Sequence, residues 1–192
     1  LFSSEEETDH GHLEVECSLI ETAAQFRTLI SEFPNKSSLA LVLDIKGEHQ
    51  LDLCLSGLAI CADCEKAVYI DLDLTETERK EIIGQLKTVL ESAEHPKILY
   101  DLKKALQLFS KLGIQVEGVE SDILLAAHMT DPLGRRYDLD YLLGRKLNMK
   151  RKSRESADTS KQSQMSMFEE SEEKDYIRHC EYAAIVFQLH EL

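Results

Sequence analysis

The chain has 192 residues, 43% of them hydrophobic, which is enough to bury one substantial core and predicts a single domain of somewhat above average size. Its formal net charge of −14 excludes a protein whose main task is gripping a phosphate backbone, because that affinity comes chiefly from Lys and Arg neutralising phosphates. Any nucleic-acid contact is therefore expected to be local or weak. No window approaches the roughly 18 uninterrupted apolar residues of a membrane span, and Leu1 to Asp9 is acidic without an apolar signal core. The expectation is a soluble, cytoplasmic protein.

The first periodic stretch is "LIETAAQFRTLISEF", where Leu19, Ala23, Phe26 and Ile30 recur at helical spacing and predict a lead-in helix within residues 13–33, ended by Pro34 and Asn35. Behind the acidic start, residues 1–36 read as linker and lead-in helix, and residues 37–192 as the domain proper. "SLALVLDI", "QLDLCLSGLAIC" and "EKAVYIDLDL" then read as three strands of an antiparallel meander. Thr75 with Glu78 makes a capping box for a helix to about Glu91, with Ile82, Ile83, Leu86, Val89 and Leu90 on one face.

"KILY" is a short strand after His95 and Pro96, followed by a helix through "DLKKALQLFSKLG" that Gly113 stops. "IQVEGVE" is extended, Ser121 is placed to cap "DILLAAHMTD", and Asp138 begins "DLDYLLGRKL". Residues 151–173 are poor in apolar side chains and predict a flexible loop. A final helix, "KDYIRHCEYAAIVFQLHEL", puts Ile177, Tyr182, Ile185, Val186 and Leu189 inward. Strands, helix, strand and closing helices make an α/β layer with a mixed sheet flanked by helices.

Cysteines 17, 54, 61, 64 and 180 are odd in number and scattered, so a reducing compartment is expected rather than a disulfide framework. Cys61 and Cys64 form the one close pair. They lie between two strand-like runs, which favours a hairpin turn with free thiols over redox or zinc chemistry.

One stretch carries a sharper signal. "KILYDLKKALQLFSKLGIQVEGVESDILLAAHMTDPLGRRYDLDYLLGRKL" resembles the 3′–5′ exonuclease (proofreading) domain of bacterial DNA polymerase I, a family A polymerase. The most specific parts are the "KLGIQVEG" segment before the helix with "SDILLAAHMTDP", and "GRRYDLDYLL". The similarity covers Leu39 to Leu192 and is nearest to polymerases of the Bacillus kind, whose proofreading domain is degenerate. It implies an RNase H-like (DnaQ-like exonuclease) fold, and a place beside the polymerase and 5′-nuclease domains of one parent chain in DNA replication and repair.

In active members of this family four carboxylates hold two divalent metals that activate water and stabilise the leaving 3′ oxygen. The resemblance puts Asp44 at the first acidic position and Lys46 at the second. Asp101 stands at an asparagine position, Ala105 at the following acid, Arg178 at a tyrosine and Tyr182 at the last acid. The aromatic that packs on the frayed 3′ end falls at Ser121. Asp44, Lys46, Ala105 and Tyr182 are thus relict positions with one ligand of four, no metal is expected, and Lys46 is expected to pair with Asp44 in place of the ion. An active exonuclease with rearranged ligands and bound Mg²⁺ is the competing reading, with Asp101, Asp175 or Glu181 as the acids that could stand in.

Gln164, Met165, Ser166, Met167 and Phe168 spell "QMSMF", similar to the pentapeptide with which bacterial replication proteins dock on the sliding clamp. Gln164, Met167 and Phe168 would be its anchors, and a clamp-recruiting module is a further reading. The competing one is an apolar island that packs on its own domain. The basic run Arg145, Lys146, Lys150, Arg151, Lys152 and Arg154 reads first as a solvated cluster, and second as a contact to DNA or an acidic neighbour.

Overall fold

A computed structural model describes residues 11–33, 36–47, 49, 52–63, 65–151 and 167–192, with backbone alone over 167–174. The described chain starts with two strands, β1 (Gly11–Leu13) and β2 (Glu16–Ile20), and only then enters helix α1 (Ala23–Glu32). The lead-in helix is therefore shorter than its periodicity predicts. Thr22 sets its start: the Thr22 hydroxyl accepts from the Gln25 N–H, and the Gln25 side chain accepts from the Thr22 N–H. Ala23 and Phe26 are buried as expected, whereas Leu19 belongs to β2 and is 36% exposed.

Strands β3 (Leu39–Lys46), β4 (Cys54–Cys61) and β5 (Lys66–Asp71) form the expected antiparallel meander. Cys61 is a buried thiol outside any disulfide at the end of β4, and Cys64 lies outside the described residues. Helix α2 (Glu76–Leu90) begins at Thr75, which accepts from the Glu78 N–H. The Glu78 carboxylate does not complete the expected box. It accepts instead from the Ala23 N–H at 2.9 Å, satisfying a free donor in the first turn of α1.

The second half of the chain runs β6 (Lys97–Leu99), α3 (Leu102–Lys111), β7 (Val119–Asp122), α4 (Ile123–Thr130), α5 (Leu139–Lys146), β8 (Met149–Arg151) and α6 (Met167–His190). Gly113 ends α3 with φ 71°, a conformation that suits glycine. The cap of α4 is Asp122 rather than Ser121. One Asp122 oxygen accepts from the Leu124 and Leu125 N–H groups and the other from Leu102 at the start of α3, so two acceptor oxygens serve two helices where one hydroxyl could not. α6 starts seven residues before the expected Lys174, at Met167; residues 152–166 of the predicted loop lie outside the described residues.

The main sheet has six strands in the order β2-β5-β4-β3-β6-β7, with β1 and β8 forming a separate parallel pair. β2 pairs parallel with β5, and β6 parallel with both β3 and β7, around the antiparallel β3-β4-β5 centre. β2 is thus an edge strand of the same sheet as the rest of the fold. One face carries Leu39, Leu41, Leu58, Ile60 and Ile70 against Phe26 of α1, Ile82 and Leu86 of α2, and Phe109 of α3. The other carries Ala40, Val42, Ala59 and Ala67 against Ile123 of α4, Leu142 of α5, and Cys180, Ala183 and Ala184 of α6. The inner side of α6 is lined by smaller residues than expected. Ile185 and Val186 are buried as predicted, but Ile177, Tyr182 and Leu189 are only partly so, because cysteine and alanines bring the helix axis down onto the sheet.

Candidate functional site

The two faces of the central strands position the residues singled out in the sequence. Asp44 lies near the end of β3, registered against Gly57 of β4, and Gly57 in turn against Asp71 of β5. Tyr69 precedes Asp71 by two residues and therefore projects from the same side of β5. Its ring lies over Gly57, where any Cβ would overlap the tyrosine hydroxyl. The hydroxyl thereby reaches Asp44 and donates to Oδ2 at 2.6 Å. The other oxygen, Oδ1, is 3.7 Å from Nε2 of His179 on α6, and the two side chains are 22% and 18% exposed. His179 also packs against the Tyr69 ring, centroids 5.8 Å apart, and its Nδ1 is held at 2.8 Å from the Asp175 carbonyl oxygen.

Burial drives the Tyr69 phenol far above the usual tyrosine range, and its bond to Asp44 and the charges of Asp44, Asp71 and Asp175 push the same way. Both carboxylate oxygens of Asp44 are thus met by protein groups.

Lys46 does not pair with Asp44. Its ammonium lies 2.7 Å from Asp73 Oδ2 in an exposed ion pair, and the hydrogen bond raises the Lys46 pKa and lowers that of Asp73. The β3–β4 ladder shifts register between Asp44 and Ile45, where Ser56 of β4 stands opposite no β3 residue. Lys46 still feels the charges of Asp44 and Asp71, but its ammonium makes its contact with Asp73, just beyond the end of β5.

The other family positions have surroundings of their own. Asp101 caps α3, accepting from the Lys104 N–H at 3.1 Å, and Ala105 is 1% exposed in the core on the α1–α3 side of the sheet. Tyr182 donates to Asp140 Oδ2 at 2.9 Å. Arg151 sits over the Tyr182 ring, 5.2 Å from its centroid, and its Nε lies 3.2 Å from Asp140 and 3.7 Å from Glu181. Glu181 is therefore engaged by Arg151, Arg178 is exposed, and Asp175 is the acid whose charge reaches Tyr69. Ser121 is half-buried on β7. Among the described residues no group of three or more His, Cys, Asp and Glu side chains is arranged to hold a metal ion.

Of the basic run, Arg145, Lys146 and Lys150 are exposed, Arg151 is committed to Asp140 and Glu181, and Lys152 and Arg154 lie outside the described residues. So do Gln164 and the side chains of Met167 and Phe168. Tyr69, His179 and Asp73 are the residues that sequence reading missed. The available signal was Gly57, a glycine inside an otherwise apolar strand, which marks a close approach by some neighbouring group.

Solved structures with the same fold include Trypanosoma brucei RNase D in complex with RNA U12, at 18% identity and TM-score 0.62 over 91% of this chain and 63% of that one. NrnC of Brucella melitensis with bound Mg²⁺ matches at 12% identity and TM-score 0.60, over 94% and 79%. The fold is that of the RNase H-like exonucleases.

The POL domain of Pol1 from M. smegmatis, in complex with DNA primer-template and dNTP, matches at 23% identity and TM-score 0.66 over 92% of this chain. This chain spans 27% of the Pol1 chain and 63% of the RNase D chain. No curated protein matches. The family described as "DNA polymerase I, ribonuclease H-like domain" matches residues 41–157, and the chain belongs to that family.

Proposed function

We propose that this chain is a non-catalytic exonuclease-like domain, of the degenerate Bacillus type, within a bacterial DNA polymerase I. It serves as a structural unit beside the polymerase and 5′-nuclease domains of the parent chain and meets DNA only indirectly. The observation that carries this reading is Asp44, one oxygen of which accepts from the Tyr69 hydroxyl at 2.6 Å while His179 Nε2 stands 3.7 Å from the other. Paired divalent cations in phosphodiester cleavage sit about 3.5–4 Å apart and depend on several oxygen ligands from the protein. Here the remaining positions supply a lysine turned to Asp73, a buried alanine and a tyrosine bonded to Asp140. This donor set does not fit a pair of Mg²⁺ ions.

The test is incubation of the domain with a 3′-labelled single strand and Mg²⁺ or Mn²⁺. We expect no mononucleotide release above that of Asp44→Ala. Metal-dependent release that Asp44→Ala abolishes would establish the active exonuclease instead.

Docking on a sliding clamp through Gln164, Met167 and Phe168 is a separate proposal, supported by the pentapeptide alone. Binding of a peptide covering residues 161–170, lost on Gln164→Ala with Phe168→Ala, is its expected outcome; binding that survives both substitutions removes it. In either role the protein works in the cytoplasm, and no helix among the described residues is long and apolar enough to cross a membrane.

A further inference from the structure

Helix α4 is apolar on two opposite sides. Its buried residues Ile123 and Ala127 lie one turn apart and join the core cluster that α6 also enters. Leu125 and Met129 each follow by two positions, about 200° around the helix axis, and so point away from that core. They are 57% and 74% exposed. Leu133, 92% exposed, stands in the turn that continues the helix, where the Asp131 N–H donates to the Ala127 carbonyl oxygen at 3.1 Å and the Gly134 N–H to that of Asp131 at 3.0 Å. Three of the seven large hydrophobic side chains that stand exposed among the described residues thus fall within the span 125–133, whereas the others are spread over β2, α3, β7 and the residues after α6.

Single exposed leucines are ordinary, but a row of them on a helix that is apolar on both sides marks a surface meant to be covered twice, once by its own core and once by a partner. The platform under the row is fixed. Tyr137 donates to the Asp131 carbonyl oxygen at 2.6 Å, its ring centroid lies 3.7 Å from that of His128 on α4, and its own carbonyl accepts from the Tyr100 hydroxyl at 2.7 Å. A surface held in this way loses little entropy on contact.

We propose that Leu125, Met129 and Leu133 dock on the polymerase part of the same parent chain. This rests on the reading of the chain as one domain of a DNA polymerase I. Size selects the occupant. A patch of three such side chains covers a few hundred Å², short of the roughly 800 Å² per partner at which freely diffusing copies form a stable pair. Domains of one chain need less, because the tether supplies a high effective concentration, and their interfaces bury about 600–1,500 Å² in total.

Such a tether agrees with the family, and with the share of the Pol1 chain, 27%, that this chain spans. The polymerase part is chosen over other neighbours because the Pol1 chain that carries this fold is that of a POL domain with primer-template and dNTP. Arg135, exposed two residues after Leu133, adds a positive edge to the row. The matching surface is therefore apolar with an acidic side chain at its rim.

Met129 is the reporter, since hydrogen peroxide converts an exposed thioether to its sulfoxide, leaving as water, and spares a covered one. The 192-residue chain and the full parent chain are treated side by side, and Met129 sulfoxide is followed by mass spectrometry against an added methionine peptide as dose control. The expected result is oxidation at least about tenfold slower in the parent, restored to the rate of the shorter chain by Leu125→Glu with Leu133→Glu. Both leucines face solvent in the 192-residue chain, so the pair of substitutions leaves its Tm within about 2 °C. A photoreactive benzoylphenylalanine in place of Leu133 of the parent is expected to cross-link to a peptide of the polymerase part of the same molecule. Equal oxidation rates in the two chains overturn the proposal, as does protection that survives the two substitutions, or cross-linking only to the 5′-nuclease part or to a second copy. Mononucleotide release from a 3′-labelled strand, which would end the non-catalytic reading, leaves these outcomes untouched.

Discussion

The Tyr69 hydroxyl and the Asp44 carboxylate are 2.6 Å apart, the length of a strong O–H···O bond, and the contact spans the width of a strand. β4 lies between their own strands, and Gly57 is the point at which the ring crosses it. The phenol thus fills the space beside this carboxylate and gives it a hydrogen-bond donor from the protein.

Tyr69→Phe keeps the ring and removes the donor. Asp44 is then left partly buried without its hydrogen-bond donor, and the loss expected is about 1–3 kcal/mol, the usual cost of an unsatisfied buried group. Urea unfolding of the two proteins measures it; an unchanged midpoint would mean that solvent replaces the phenol freely.

The same contact sets an alkaline limit. Tyr69 holds its proton more tightly in the folded than in the unfolded chain, because burial first and Asp44 second disfavour the phenolate. The stabilisation is complete below the unfolded tyrosine value of about 10 and falls as pH climbs above it, since the unfolded chain then sheds a proton that the folded chain keeps. Tyr100, raised to about 12 chiefly by burial, adds to the slope. Urea midpoints followed from about pH 9 upward should fall, and should fall less steeply in Tyr69→Phe.

Gly57→Ala places a methyl group where the Tyr69 ring and hydroxyl lie. Overpacking of this kind costs typically about 1–3 kcal/mol. A double-mutant cycle identifies the cause: in a Tyr69→Ala background the methyl group meets no ring, and the cost of Gly57→Ala should largely vanish. Additive losses would place the strain in the strand rather than in the crossing.

Arg151 ties three elements together, β8 through its own backbone, α5 through Asp140 and α6 through Glu181 and Tyr182. Arg151→Met preserves the stem and loses the fork, leaving two acids facing one another, and is expected to lower stability by about 1–3 kcal/mol. Arg151→Lys should recover only part of it, because a point charge cannot serve two carboxylates and a ring at once. Thermal unfolding at low and high salt reads both effects.

Much of the fold could be read from pattern. The meander of β3, β4 and β5 follows from three short β-rich runs, and α2, α3 and α5 follow from caps and periodicity that local chemistry fixes. β2 was missed because Leu19, Ala23 and Phe26 satisfy a helical spacing by coincidence; the parallel partner that makes Glu16 to Ile20 a strand lies at Lys66 to Ile70, beyond the reach of any local window. For the candidate site, the family resemblance offers Asp44, Lys46, Ala105 and Tyr182 as positions in the sequence. Their contacts could not be read there. Lys46 meets Asp73, 27 residues further along, and Tyr69 and His179 reach Asp44 from another strand and from a helix far along the chain.

The parallel partnerships at the edge also bear on how the chain assembles. β2 must wait for β5, and β1 for β8, before either has a neighbour; closing such long loops is slow compared with forming the β3-β4-β5 hairpins. The segment synthesised earlier is thus expected to be seated later, and to be the part of the sheet that exchanges its amide hydrogens soonest in the native state.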